Sequence, residues 1–163
     1  MGLPKHREYF KKCEEFTICA LRCDKGWIGT EHVQKVNGLY YYCIHGTGKF
    51  AVPFQEDYVE IKPKDFFNVK KYLNNHAMFE AFEDFYWIGF NRLPNENRDW
   101  DGRLIKEDVL TVEKESWMIC FDGHPVVNEK ELSRLDYAKL TKDNDYTVSL
   151  NGGVLGLFTK LVV

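Results

Sequence analysis

Chemistry in this chain has few residue types to draw on. The five cysteines stand at 13, 19, 23, 43 and 120. Cys19 and Cys23 share one face of a strand, because side chains alternate along it. Zinc sites use tighter turn-borne pairs such as C-x-x-C, and the sequence has none. An odd count with no apolar leader predicts reduced, buried thiols in a cytoplasmic protein. Ser116 and Ser133 stand in no nucleophile motif. The Gly46-Thr47-Gly48-Lys49 run lacks the spacing and following helix of a phosphate loop, and reads as a turn. Asn95 to Asp101 has a calcium-loop composition but no closing glutamate or flanking helices, and reads as a solvated linker. Tyr40, Tyr41 and Tyr42 fall on one strand, so Tyr41 faces opposite to its neighbours. Its ring either packs in a core or stacks on a base or sugar at a pocket mouth.

The elements that must position such residues are strands. Hydrophobic residues make up 44% of the 163, and the 12 Phe and 9 Tyr cluster with Val and Ile in short runs, the composition of pleated, half-buried strands. The period is two from Phe16–Cys23 onward. Further strands are expected at 27–36, 39–45, 49–54, 58–62, 66–70, 76–82 and 85–90, then 109–112, 116–121, 126–127, 146–150 and 154–163. Residues 132–140 read as a mixed segment, and Pro4 to Glu15 as a short N-terminal helix or arm. Regular strand spacing indicates a sandwich or barrel. A repeat runs through the chain: Cys43-Ile44-His45-Gly46 lines up with Cys120-Phe121-Asp122-Gly123, Leu73-Asn74 with Leu150-Asn151 and, with small gaps, Asp65-Phe66 with Asp145-Tyr146. The expected organisation is 1–93, a linker at 94–102, and a second unit at 103–163.

A net charge of −3, from 22 basic and 25 acidic residues, disfavours binding of long nucleic acid. No apolar run reaches the ~20 residues of a membrane span.

The span from Gly26 to Phe90 resembles the cupin superfamily. Its first motif has the form G-x5-H-x-H-x(3,4)-E-x6-G, and here Gly26, His32, Gln34, Leu39 and Gly46 occupy those positions. Residues 40–48 resemble the strand and turn that end the motif. The second motif has a Pro-x-Gly turn, then a His, then an Asn. Pro63-Lys64-Asp65 supplies the turn with Lys64 in place of glycine, His76 stands near the expected His, and Glu80 takes the Asn place. The resemblance implies an all-β, cupin-like jelly-roll barrel followed by a repeat-related second β unit, a degenerate bicupin. It also implies that His32, Gln34, His76 and Glu80 line the barrel, with Tyr41 and Trp87 beside them.

Typical cupins hold a metal through three His and one Glu. Leu39 offers no donor and Gln34 a weak one, and the second unit has Val109 and Gly153 at the positions matching His32 and His76. No metal, cofactor or catalytic residue is therefore expected. The preferred function is binding of a small polar ligand, a nucleotide or sugar derivative, by a homodimer or higher oligomer. A short protein with a decayed catalytic site would also suit a bacteriophage accessory role, sequestering a signalling nucleotide. The alternatives are a metal-free isomerase or epimerase using His32 or His76, a metal-dependent cupin enzyme, and a structural or assembly protein.

Overall fold

The protein is described by a computed structural model covering residues 2–30, 38–51, 58–70, 78–94, 96 and 98–161. Among these residues the regular structure is almost entirely β. The chain divides into two compact units, Met1–Asn97 and Arg98–Val163.

In the first unit, β1 (His6–Lys12), β2 (Phe16–Cys23), β9 (Phe85–Arg92), β4 (Gly38–His45) and β7 (Phe66–Asn68) form one sheet in that order. The second sheet runs β3 (Ile28–Thr30), β8 (Met78–Ala81), β5 (Gly48–Ala51), β6 (Tyr58–Ile61). Every pairing is antiparallel. The side chains between the sheets obey the period of two: Cys19, Leu21 and Cys23 from β2, Trp87 and Phe85 from β9, Tyr41 and Cys43 from β4, and Phe50 and Phe79 from the other sheet form one buried cluster. The long strands do not alternate in polarity, because the other face of the first sheet is apolar too. Phe16, Ile18, Tyr40, Tyr42, Ile88 and Phe90 are all buried there, and Tyr40 stacks on Phe66 with ring centroids 5.3 Å apart.

The N-terminal segment corrects the expectation of a helix or arm. His6–Lys12 is a strand, paired to β2 in register from His6↔Cys23 to Lys12↔Thr17. It lies at the sheet edge and is exposed along nearly its whole length, so charged residues occupy both faces and the period of two is erased from its sequence. The linker expectation is corrected in part: Trp100–Leu104 is β10, and its first three residues fall inside the stretch read as loop.

The second unit repeats the plan. One sheet runs β10, β17 (Val154–Lys160), β12 (Ser116–Asp122), β15 (Tyr137–Leu140), and the other β11 (Val109–Val112), β16 (Asn144–Ser149), β13 (Val126–Val127), β14 (Lys130–Glu131). Its core is mostly aliphatic, with Leu110, Val112, Met118, Val148, Leu155 and Leu157 among its members.

The repeat is written in the backbone of one turn. In the first unit Lys64 N–H donates to the Cys43 carbonyl (2.8 Å), Cys43 N–H donates to the Asp65 carbonyl (2.9 Å), and the Asp65 carboxylate accepts from Lys62 N–H (2.9 Å). In the second, Leu135 N–H donates to the Cys120 carbonyl (2.8 Å), Cys120 N–H to the Asp136 carbonyl (2.9 Å), and the Asp136 carboxylate accepts from Ser133 N–H (2.8 Å). Lys64 and Leu135 have φ of 74° and 76°. The matched pair of Cys43 and Cys120 holds. The partner of Asp65-Phe66 is Asp136-Tyr137, however, and not Asp145-Tyr146.

Lys64 thus occupies the left-handed conformation at the position where the resemblance places glycine. A side chain there costs about 1–2 kcal/mol, against which glycine loses about 0.5–1 kcal/mol more backbone entropy on folding. Lys64→Gly is expected to raise stability by about 0.5–1 kcal/mol in urea melts. Lys64→Ala, which keeps a Cβ, should leave the midpoint where it is, and equal midpoints for all three proteins would refute the assignment.

Candidate functional site

The interior of the first unit is organised around two rings. Tyr41 and Trp87 stack face to face, with centroids 4.6 Å apart and planes 17° from parallel. Phe67 meets the Tyr41 ring edge-on at 5.6 Å, and Phe79 and Phe85 pack on Trp87 at 4.6 and 5.3 Å. The tyrosine reaches this position because β9 carries glycine at 89. A Cβ there would lie 2.2 Å from the Tyr41 ring and 2.6 Å from the Cys19 sulfur.

Polar atoms enter this interior beside the stack. Asn91 is 1% exposed, and its Oδ1 accepts from the Cys19 thiol at 3.7 Å. Burial holds the Tyr41 hydroxyl well above its usual range, with Cys19 adding to the effect. Sequence reasoning missed Asn91 and Cys19 as site residues. The signal was there: Phe85, Trp87, Gly89 and Asn91 share one parity, so the asparagine must face the same interior as the tryptophan. Asn91 pairs with Gly38, the first residue of β4. The ends of β3 at Thr30 and of β5 at Ala51 both meet Met78, the start of β8. By antiparallel connectivity these strand ends, with Gly38, belong to one end of the barrel.

The six residues nominated from the sequence divide as follows. Tyr41 and Trp87 come together in the interior. Glu80 does not join them: in β8 Phe79 and Ala81 face the core, so Glu80 lies half-buried on the opposite face, where its strand neighbours are Ile28 and Lys49. The strand's parity, set by Phe79, explains the correction. His32, Gln34 and His76 lie outside the described residues.

A metal of the kind typical cupins hold does not fit the donors that can be assessed. Leu39, at the position of the family's glutamate, is a buried hydrocarbon side chain. Among the described residues no group of three His, Cys, Asp or Glu side chains converges. His45 is exposed at the end of β4 opposite to Gly38. All five cysteines are free and buried, as expected. Burial pushes the Cys19, Cys23 and Cys43 thiols up to about 12, and Cys120 to about 11, so none of these four has the thiolate character of a nucleophile or redox sensor.

Two outcomes follow. Gly89→Ala should destabilise the protein by about 1–3 kcal/mol through overpacking and reduce the near-ultraviolet circular dichroism of the stacked rings; a native signal at full stability would disprove the close approach. For the thiols, the folded state favours the neutral form, while the unfolded chain ionises near the ordinary value of 9.0. Their contribution is therefore complete below about pH 9 and is lost as pH rises toward about 12. The midpoint in a pH series should follow that course, and a thiol-specific reagent should label the cysteines only on unfolding.

A scan against protein-family models and a search of curated proteins each return no match. Solved structures do match. A cupin 2 conserved barrel domain protein from Leptotrichia buccalis aligns over 96% of this chain and 89% of its own, at 14% identity and a TM-score of 0.55. HutD from Pseudomonas fluorescens aligns over 91% and 80%, at 12% identity and 0.63. The pirin YhhW from Escherichia coli, solved with nickel(II), aligns over 100% and 94%, at 11% identity and 0.58. At such identities the likeness speaks for the fold, and it runs through both units. The chain has the all-β cupin fold, as a barrel followed by a repeat-related second unit.

Proposed function

We propose that the barrel of the first unit binds a small polar ligand, a nucleotide or sugar derivative, without turning it over. The reading is supported by the distribution of polarity inside the barrel. Aromatic rings fill the described interior, and the buried polar side chain among them, Asn91, belongs near the end where β3, β4 and β8 begin or finish. His32 and Gln34 follow β3 in sequence and His76 precedes β8, so these three residues are assigned to the ligand together with Asn91. Tyr41 and Trp87 lie in the same interior as Asn91.

Binding is preferred to isomerisation for a specific reason. A histidine general base in a metal-free epimerase needs a carboxylate to hold its tautomer, and Glu80, the nominated carboxylate, faces away from the interior. Metal-dependent chemistry is disfavoured by the hydrocarbon at Leu39. An oligomer belongs to the same proposal, since the edge strand β1 presents Tyr9 and Phe10 at 52% and 47% exposure, and exposed edges invite pairing. No helix of the described residues is long and apolar enough to cross a membrane.

A thermal-shift screen over nucleotides, sugar nucleotides and sugar acids should give a raised melting temperature with one class. His32→Ala, His76→Ala and Asn91→Ala should each abolish that shift while still melting cooperatively. Mass spectrometry of small molecules released by denaturation would identify a ligand that copurifies. No shift with any class, together with a large stable assembly, would favour the structural role instead.

A further inference from the structure

The other end of the same barrel carries a row of charge that the proposed ligand site does not use. Across four neighbouring strands Arg7 pairs with Arg22, Arg22 with Tyr86, and Tyr86 with His45. Side chains of directly opposed residues share a face with their Cβ atoms about 5 Å apart, and like charges so placed repel. Two arginines therefore stand side by side on one face. Among the described residues no ion pair engages either of them. The Arg22 guanidinium is held from below instead, its central carbon 4.0 Å from the centre of the Tyr86 ring, a cation–π contact that fixes its plane and leaves its N–H edges to the solvent side.

These residues border a cleft of about 360 Å³ that lies wholly in the first unit. Its floor includes the buried Cys23, Phe85 and Tyr86, and Lys5 adds a third cation at its rim. Two carboxylates also line it, each tied to a backbone N–H: Asp24 accepts from Lys5 N–H at 2.9 Å and Asp84 from Lys25 N–H at 3.0 Å, so three basic side chains face two acidic ones and the positive charge is in excess. The cleft is of the size that takes a small molecule.

We propose that this cleft binds the phosphate group of a small phosphorylated molecule. A dianionic tetrahedral group offers acceptors to two guanidinium forks at once and balances both charges. A carboxylate balances only one and leaves the row repelling itself. The site is separate from the barrel end that holds Asn91, so it stands or falls independently of the function proposed above.

The test is calorimetric titration of the full chain with inorganic phosphate, glycerol phosphate and, at matched ionic strength, sodium acetate. Saturable binding of phosphate and glycerol phosphate without binding of acetate is expected. Tighter binding of the ester identifies an organic phosphate as the ligand, and equal binding identifies the inorganic ion. Arg7→Gln and Arg22→Gln should each weaken binding by about tenfold or more, whereas Arg98→Gln, an exposed arginine of the second unit, should not. In thermal melts Arg7→Gln should match or exceed the parent without phosphate, because a repulsion is relieved, and fall below it with phosphate present. Phosphate binding no stronger than acetate, or variants that bind like the parent, overturns the proposal.

Discussion

The contact on which the first unit depends is the stacking of Tyr41 on Trp87, and it exists because residue 89 has no side chain. Glycine in the middle of a strand weakens it by loss of packing and backbone entropy. Here that loss is offset by the placement of a whole tyrosine ring against β9. Once the two rings lie parallel, Phe67, Phe79 and Phe85 have fixed surfaces to meet, and the interior closes. The closed interior accounts for the rest. Thiols facing it are held protonated, and among the described residues Asn91 is the polar side chain buried within it.

The paired turns show what has been kept between the two units and what has not. The backbone pattern around Cys43 and Cys120 is the same bond for bond, down to the carboxylate that caps the turn and the left-handed residue before it. The side chains have diverged. Lysine in one turn and leucine in the other both tolerate a positive φ that glycine would take without strain. The aromatic interior of the first unit has an aliphatic counterpart in the second, and an aliphatic core of that kind fills itself without leaving polar groups to satisfy.

Much of this was legible from residues alone. Phe16–Cys23 and Val126–Val127 are strands with the bounds the sequence predicts, and Tyr41 does face opposite to Tyr40 and Tyr42, because two-residue periodicity is a geometric property of any strand. The failures have physical causes. His6–Lys12 buries neither face, so nothing in its side chains reports the pairing that its backbone makes. Glu80 was assigned through a motif position, whereas the side a strand residue faces is decided by its neighbours, here Phe79 and Ala81. Asp65 was aligned with Asp145 on residue identity, while the true counterpart, Asp136, is defined by dihedral angles and carbonyl acceptors that letters do not encode. The charge row was invisible for a related reason: Arg7, Arg22, Tyr86 and His45 are far apart in sequence and become neighbours only through register.

That row also bears on why the two ends of one barrel differ. Asp24 and Asp84 lie in the same cleft as the crowded Arg7 and Arg22, and a carboxylate between the guanidinium groups would have offset one of their two charges. Each carboxylate accepts from a backbone N–H instead, which fixes the turns, and among the described residues neither forms an ion pair with the arginines. At the opposite end the polar group is a neutral amide beside a protonated thiol, suited to hydrogen bonding with an uncharged, orientable partner. One sheet thus carries a buried neutral amide near one end and a group of cations near the other, separated by the length of its strands.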